Sequence, residues 1–397
     1  MAPQVAQKRM NLRECLNHKK TEHIQFKQVR SADTMLLESQ AKKEAISKNV
    51  SAEDILKEME ISVEKRITPY AEYEYSEQIN MKRKWLLGQL EDYSRNYQGL
   101  INQNKEYPTP WFYEMSQRMD KEQKEALEAV KQGKERKQEV LRIPCCPLEK
   151  VIECDKELLV GYRNKVEFTI GRVFKSVEEK GPLAVGFNQG SLSKGIMYVG
   201  RPDNAIIISE ESKQAAKLIE AIVIKYNDKY GLGHYDKIDN AGFWRILLYR
   251  ESKKTKEVMV SLIVSDPANV KMPETVVMPT AEQLKEIQMD VLTAFKAGDK
   301  FGPKQYEVKS VSMIYSNEMS GGYKEDDRFD LLSGESMHYT EEVAGFKFTV
   351  SPFAFFQVNI NVFEKMLHEV QSFLGIDDKT ILFDVCCGTG AIGICLS

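Results

Sequence analysis

No C-x-x-C pair occurs anywhere in the 397 residues, which excludes the commonest zinc and cysteine-ligated cluster spacings. Cysteine itself is scarce. The seven residues, at 15, 145, 146, 154, 386, 387 and 395, are too few and too unevenly spaced for a disulfide framework. Free thiols in a reducing compartment, cytoplasm or nucleus, are the expected state, with no metal and no iron–sulfur cluster. No apolar run approaches the roughly 18 residues that would span a bilayer, and no apolar segment follows the basic start to make a secretory signal. The first 140 residues also lack the K/R-G-F/Y-G/A-F pattern of an RNA-recognition module.

Nor is there an excess of positive charge. The formal net charge is −3, but it is unevenly spread. Residues 1–50 hold ten Lys/Arg against five Asp/Glu, a local +5 that leaves −8 for the remainder. Such a start fits a solvated tail, an RNA-contacting arm or a mitochondrial presequence, and composition alone leaves the three open.

What is present falls into four stretches. Residues 1–70 form a basic, loosely helical region, partly disordered, with a helix start at Ser51-Ala-Glu-Asp54. Residues 71–147 are strongly charged and helical in pattern, and PCCP (144–147) marks a boundary. From 148 to 345 the period changes. In GYRNKVEFTIG (161–171), Val166, Phe168 and Ile170 alternate with Lys165, Glu167 and Thr169, as in a half-buried strand. GFWRILLYR, ESKKTKE and VMVSLIV (242–264) read as two strands joined by a polar loop. Helices are expected over about 212–230 and from Thr280, where Gln283 completes a capping box. An α+β domain follows from this order.

Residues 346–397 change again. Phe363, Met366, Leu367, Val370, Phe373 and Leu374 make a helical stripe that Gly375 ends, with Asn361 as the expected cap and Glu364 as its partner three residues on. TILFDV (380–385) then reads as a buried parallel strand running into Gly388-Thr-Gly390-Ala-Ile-Gly393, the opening of a doubly wound α/β unit. The glycine pattern alone also fits an NAD-dependent oxidoreductase. Asp384, four residues before the first glycine, favours a methyl-donor loop instead, because a dinucleotide site places its acid about twenty residues later.

SPFAFFQVN (351–359) lies just upstream. Taken alone it is a strand leading into a helix cap, with Phe353, Phe355 and Phe356 in the core. Together, SPFAFFQVN and LFDVCCGTG resemble the RNA uracil-5 methyltransferases, particularly the eukaryotic tRNA (uracil-5-)-methyltransferase type. CCPLEKVI (145–152), GYRNKVEFTIG and GFWRILLYR agree, and ITPYAEYEYSEQ (67–78) extends the likeness faintly. The resemblance implies a Rossmann-like S-adenosylmethionine-dependent domain beginning near 346, and tRNA or another structured RNA as partner. It also implies that Gln357, Cys386, Gly388 and Gly390 bind the cofactor, and that Phe355 stacks on the target base. In the family a cysteine adds to C6 of uracil, C5 takes the methyl group and a carboxylate removes the C5 proton.

The nucleophile of that scheme lies in an S-C-N-P motif. Neither it nor a D-P-P-R motif occurs here, and Cys387 matches a structural position of the loop. The resemblance therefore implies a chain truncated within its catalytic domain and inactive alone. On that basis 148–345 is expected to fold as a unit and 376–397 to pack poorly. The alternative is a non-catalytic RNA-binding fragment, with Arg163, Lys165, Arg245 and Arg250 as candidate phosphate contacts.

Overall fold

The structure, a computed structural model, describes residues 50–103, single positions between 117 and 132, 148, 150–268, 276–318, 322–377 and 379–397. The basic segment 1–49, PCCP and most of the charged 104–147 stretch lie outside the described residues. Ser51–Ser397 form one unit.

Its frame is a mixed sheet. The strands are β1 (Lys165–Phe174), β2 (Lys180–Asn188), β3 (Val199–Gly200), β4 (Trp244–Ser252), β5 (Glu257–Val264), β6 (Lys300–Phe301), β7 (Tyr306–Tyr315) and β8 (Arg328–Ser333). Their order is β3-β2-β1-β4-β5-β7-β6, and β8 also pairs with β7. Every pairing is antiparallel except β5 with β7. That one parallel pair needs a crossover, and helix α5 (Ala281–Ala294) lies in it.

Two helices cover one face. The first, α4 (Glu210–Tyr230), begins where the Ser209 side chain accepts from the Ser212 amide, and it ends at Gly231. The second is α5, whose Thr280–Gln283 capping box forms as the sequence predicts. Beneath them Phe168, Ile170, Ile219, Val223, Tyr226, Leu247, Tyr249, Val260, Leu262, Ile287 and Val291 share one core. The β1 alternation holds: Val166, Phe168 and Ile170 are buried in that core, while Glu167 stays exposed on the other side.

The opposite face is thinner and more polar. Ile246, Leu248, Ile263 and Ile314 make a small cluster with Tyr323 and Phe353 against it. Between β5 and β7 the Ser261 and Ser312 hydroxyls hydrogen-bond at 2.8 Å. The hairpin β9 (Tyr339–Val343) and β10 (Phe346–Val350) and helix α6 (Ile360–Leu374) form a second core that takes in Met259 of β5.

Two expectations at the C-terminal end are corrected. The cap of α6 is Asn359, whose side chain accepts from the Val362 amide, not Asn361. Glu364 points elsewhere: it accepts from the Ala344 amide and pairs with Lys254. Gly375 ends the helix in a left-handed conformation, as predicted. The larger correction concerns TILFDV, which is not a strand. No described strand pairs with it, its one backbone bond being the local turn from the Thr380 amide to the Asp377 carbonyl, and Ile381, Phe383 and Val385 are 79–83% exposed. A strand needs a neighbour to satisfy its amides and cover its side chains, and none adjoins this one. The last helix, α7 (Ala391–Leu396), does pack: Ala391 and Leu396 are buried in the same cluster as Phe356 and Phe363.

Near the other end, α1 (Ala52–Met59) starts at Ser51 as predicted, and α2 (Val63–Ile67) follows. Glu58 of α1 bonds Arg66 at 2.6 Å and Lys194 at 2.7 Å, tying both helices to the turn before β3. Helix α3 (Tyr75–Gln103) comes next, and its Tyr75 hydroxyl accepts from the Cys154 amide at 2.8 Å.

Candidate functional site

The SPFAFFQVN segment forms a loop between β10 and α6, held by the two other motif strands. Asn164, at the start of β1, is 4% exposed. Its amide nitrogen donates to the Val358 carbonyl at 3.1 Å, and its side chain donates to the Gln357 carbonyl at 3.1 Å. The same side chain bonds Glu341 at 3.1 Å, and Ser252 donates to the other Glu341 oxygen at 2.7 Å. Burial pushes the Glu341 carboxyl above the usual range, and these two bonds oppose the shift. Arg250 of β4 completes the grip, its guanidinium donating to the Pro352 and Ala354 carbonyls.

This corrects one expectation. Arg250 and Arg245 are 1% and 3% exposed, so neither meets phosphate. Arg245 donates to the carbonyls of Ser316 and Glu318 and lies 3.8 Å above the Tyr235 ring. The sequence pattern leaves them flanking the strand as phosphate contacts, but the 316–318 and 352–354 segments lie over them and take their donors. Asn164 and Glu341, missed by sequence reasoning, do the positioning. The N of GYRNK was in view, but a lone Asn carries no signal of its partners.

The grip has a visible result. Phe356 is buried, Phe353 is half-buried against the sheet, and Phe355 is left 73% exposed. A core role would bury the ring; leaving it in water forgoes about 2 kcal/mol. Phe355 lies at the edge of a half-open cavity of about 560 Å³, whose lining includes Ile67, Arg163, Lys165, Glu167, Phe187 and Ile207. That volume suits a planar heterocycle. Lys165 and Glu167 pair at 2.7 Å, and the Tyr323 hydroxyl donates to Glu167 at 2.9 Å. Partial burial opposes ionisation of the Glu167 carboxyl, but Lys165 and then Tyr323 hold it below its ordinary value, so it is an acceptor at neutral pH. Arg163 donates through Nε to the Lys165 carbonyl at 2.9 Å, which fixes its side chain at the wall.

The second part is the glycine loop. Asp384 accepts from the Gly393 amide at 3.0 Å, joining the end of TILFDV to α7. A Cβ on Gly393 would come within 3.2 Å of that carboxylate, so the glycine permits the contact. Gly388 and Gly390 have φ of +59° and +72°, and Cys386 shares the left-handed region at +65°, at a cost of about 1 kcal/mol for a residue with a Cβ. Cys386 and Cys387 are both exposed free thiols. Phe356 beside Gln357, and Ala391 beside Gly390, meet in one apolar cluster, so the fold brings the two motifs to the same end of the molecule. Among the described residues, no group of three or more His, Cys, Asp and Glu side chains could hold a metal ion. No described helix is long and apolar enough to cross a membrane.

No family model matches the chain. Curated proteins do. It is 29% identical over 276 residues to zinc finger CCCH domain-containing protein 24 of Arabidopsis thaliana, covering 64% of this chain and 32% of that protein. It is 27% identical over 253 residues to human tRNA (uracil-5-)-methyltransferase homolog A, covering 64% and 36%. An uncharacterized RNA methyltransferase of Clostridium tetani is 28% identical over 233 residues, covering 58% and 44%. The crystal structure of Pyrococcus abyssi tRNA (uracil-54, C5)-methyltransferase in complex with S-adenosyl-L-homocysteine matches at a TM-score of 0.33 and 16% identity, over 54% of this chain and 41% of that one. That likeness is too loose to bear on the fold.

Several of these relatives are named as RNA methyltransferases. The chain is similar to RNA uracil-5 methyltransferases, the family that its paired motifs resemble. It spans about a third to under half of the length of the relatives named here.

Proposed function

We propose that these residues serve an S-adenosylmethionine-dependent methylation of uridine C5 in tRNA. They supply the base pocket and the first cofactor loop. The observation that carries this reading is Phe355: a ring held out of the core by buried bonds to its neighbours, at the edge of a largely apolar cavity whose wall also carries Arg163, Lys165 and Glu167. A base flipped from the RNA would stack on Phe355, with the terminal nitrogens of Arg163 at the cavity wall available to its carbonyls or to phosphate and the paired Lys165 and Glu167 beside them. Gln357, Cys386, Gly388 and Gly390 would hold the methyl donor, whose carboxypropyl end suits the amides of a glycine loop. Its role is to present an electrophilic methyl group. The nucleophilic cysteine and proton-abstracting carboxylate that the family requires match no residue of this sequence.

The test is transfer of labelled methyl from S-adenosylmethionine to a tRNA transcript, with nucleoside analysis, in the longest form the gene encodes. Label in 5-methyluridine is expected. Label confined to cytidine or to protein would overturn the reading. The second reading, an RNA-binding role without catalysis, rests on the cationic cavity wall. It predicts tRNA binding by these 397 residues with no methyl transfer in any form.

A further inference from the structure

Helix α3 leaves the cavity rim and carries a feature the pocket does not use. Ile67 of α2 lines the cavity, and eight residues later Tyr75 begins α3, pinned by the Cys154 amide. Along the next stretch, QINMKRKWLLGQL (78–90), three basic residues occur with no acid. Ile79, Leu86 and Leu90 recur at helical spacing on one side and are half-buried. Trp85 sits about 100° from Leu86 around the helix, and its side chain is 65% exposed. A tryptophan is rarely left so open, because it is the side chain with most apolar area to lose. At 100° per residue, Lys82 falls about 60° to one side of Trp85 and Lys84 about 100° to the other. Both lysines are exposed, and neither has an ion-pair partner among the described residues. Trp85 lies ten residues from Tyr75, about 15 Å along the axis.

We infer that Lys82, Trp85 and Lys84 form an RNA-docking face, where the indole stacks on an unpaired base and the two ammonium groups meet the flanking phosphates. The inference rests on the proposed RNA substrate and extends it to a contact about 15 Å from the start of α3. The chemistry favours RNA over a protein partner. An exposed aromatic between two free cations is the pattern of a stacking platform in a phosphate-binding groove. A protein-docking face would instead surround the indole with apolar residues, and of its helical neighbours Met81, Lys82, Gly88 and Gln89 only Met81 is a large apolar side chain.

Binding of an unmodified tRNA transcript to the 397-residue chain, measured across salt concentrations, tests this. K82E/K84E should weaken binding at least tenfold and lower the slope of log affinity against log salt by about 1.5. W85A should weaken binding about tenfold and leave that slope unchanged. All three positions are exposed, so unfolding by the variants is not expected, and circular dichroism checks it. Variants that bind within twofold of the parent, with the parent's slope, would overturn the inference and leave the face to a protein partner. F355A is the reference: if it weakens binding while the helix variants do not, the pocket reading stands and the docking face falls. A parent chain that fails to bind tRNA even at low salt would overturn both.

Discussion

VMVSLIV (258–264) and TILFDV (380–385) are nearly interchangeable as sequence, and the structure treats them oppositely. The first is β5, with every residue from Val258 to Val264 buried between β4 and β7. The second forms no strand and leaves Phe383 and Val385 more than four-fifths exposed. An apolar run states what a segment could bury. Whether it buries anything depends on a partner on each side, and that information lies elsewhere in the chain.

The largest effect that should separate the two regions is a core truncation. Leu262→Ala removes a side chain packed beneath α4 and α5 and should cost about 3 kcal/mol by urea denaturation. A loss below about 1 kcal/mol would mean that this layer is looser than its burial indicates.

Next comes a buried charge that only a covered sheet can impose. Glu251 is fully buried at the end of β4, accepting from Ser209 at 2.7 Å and Tyr249 at 3.2 Å. Burial, and then the neighbouring Glu211, push its carboxyl up to about 7. Because the folded value lies above the ordinary 4.5, its favourable contribution is complete below pH 4.5 and is lost as pH rises through 7. The full excursion is about 3 kcal/mol. Between pH 5 and 8 the parent should therefore lose stability relative to Glu251→Gln, whose amide does not titrate. Parallel stability–pH curves for the two proteins would show that Glu251 is ionised throughout.

The legible parts of this molecule are those where local pattern and tertiary setting coincide. The alternation in β1, the Thr280–Gln283 box and the Gly375 stop need only a few neighbouring residues, and all three form. The failures share a different cause. Arg245 and Arg250 look like surface cations until long-range partners (Ser316 and Glu318; Pro352 and Ala354) bury them. Asn361 looks like a cap, but Asn164 fixes the backbone at Gln357 and Val358, and the helix starts directly after Asn359. For the candidate site, the motifs pointed to Phe355, Gln357 and the glycine loop, but not to the Asn164–Glu341–Arg250 support that leaves Phe355 outside.

That support predicts a smaller, more specific effect. Arg250→Met keeps the volume and removes the donors to Pro352 and Ala354, leaving two carbonyls with fewer partners. A loss of about 2 kcal/mol is expected. Because the same bonds fix the loop that carries Phe355, tRNA affinity should fall with stability held well above the unfolding range. Unchanged affinity would show that the loop keeps its shape without Arg250.

The smallest stability effect, and the sharpest test of the opening contrast, belongs to Phe383→Ser. The ring is 83% exposed, so its removal deletes almost no packing, and the unfolding free energy should stay within about 0.5 kcal/mol of the parent. Association should respond instead. Ile381, Phe383 and Val385 present apolar side chains along a backbone with unpaired amides, a template for joining other chains edge to edge. Removing the central ring should raise the concentration at which light scattering detects aggregates, while the same serine at Leu262 should unfold the protein. If Phe383→Ser lowered stability by 2 kcal/mol or more, TILFDV would be packed in solution. Its likeness to β5 would then extend from composition to environment.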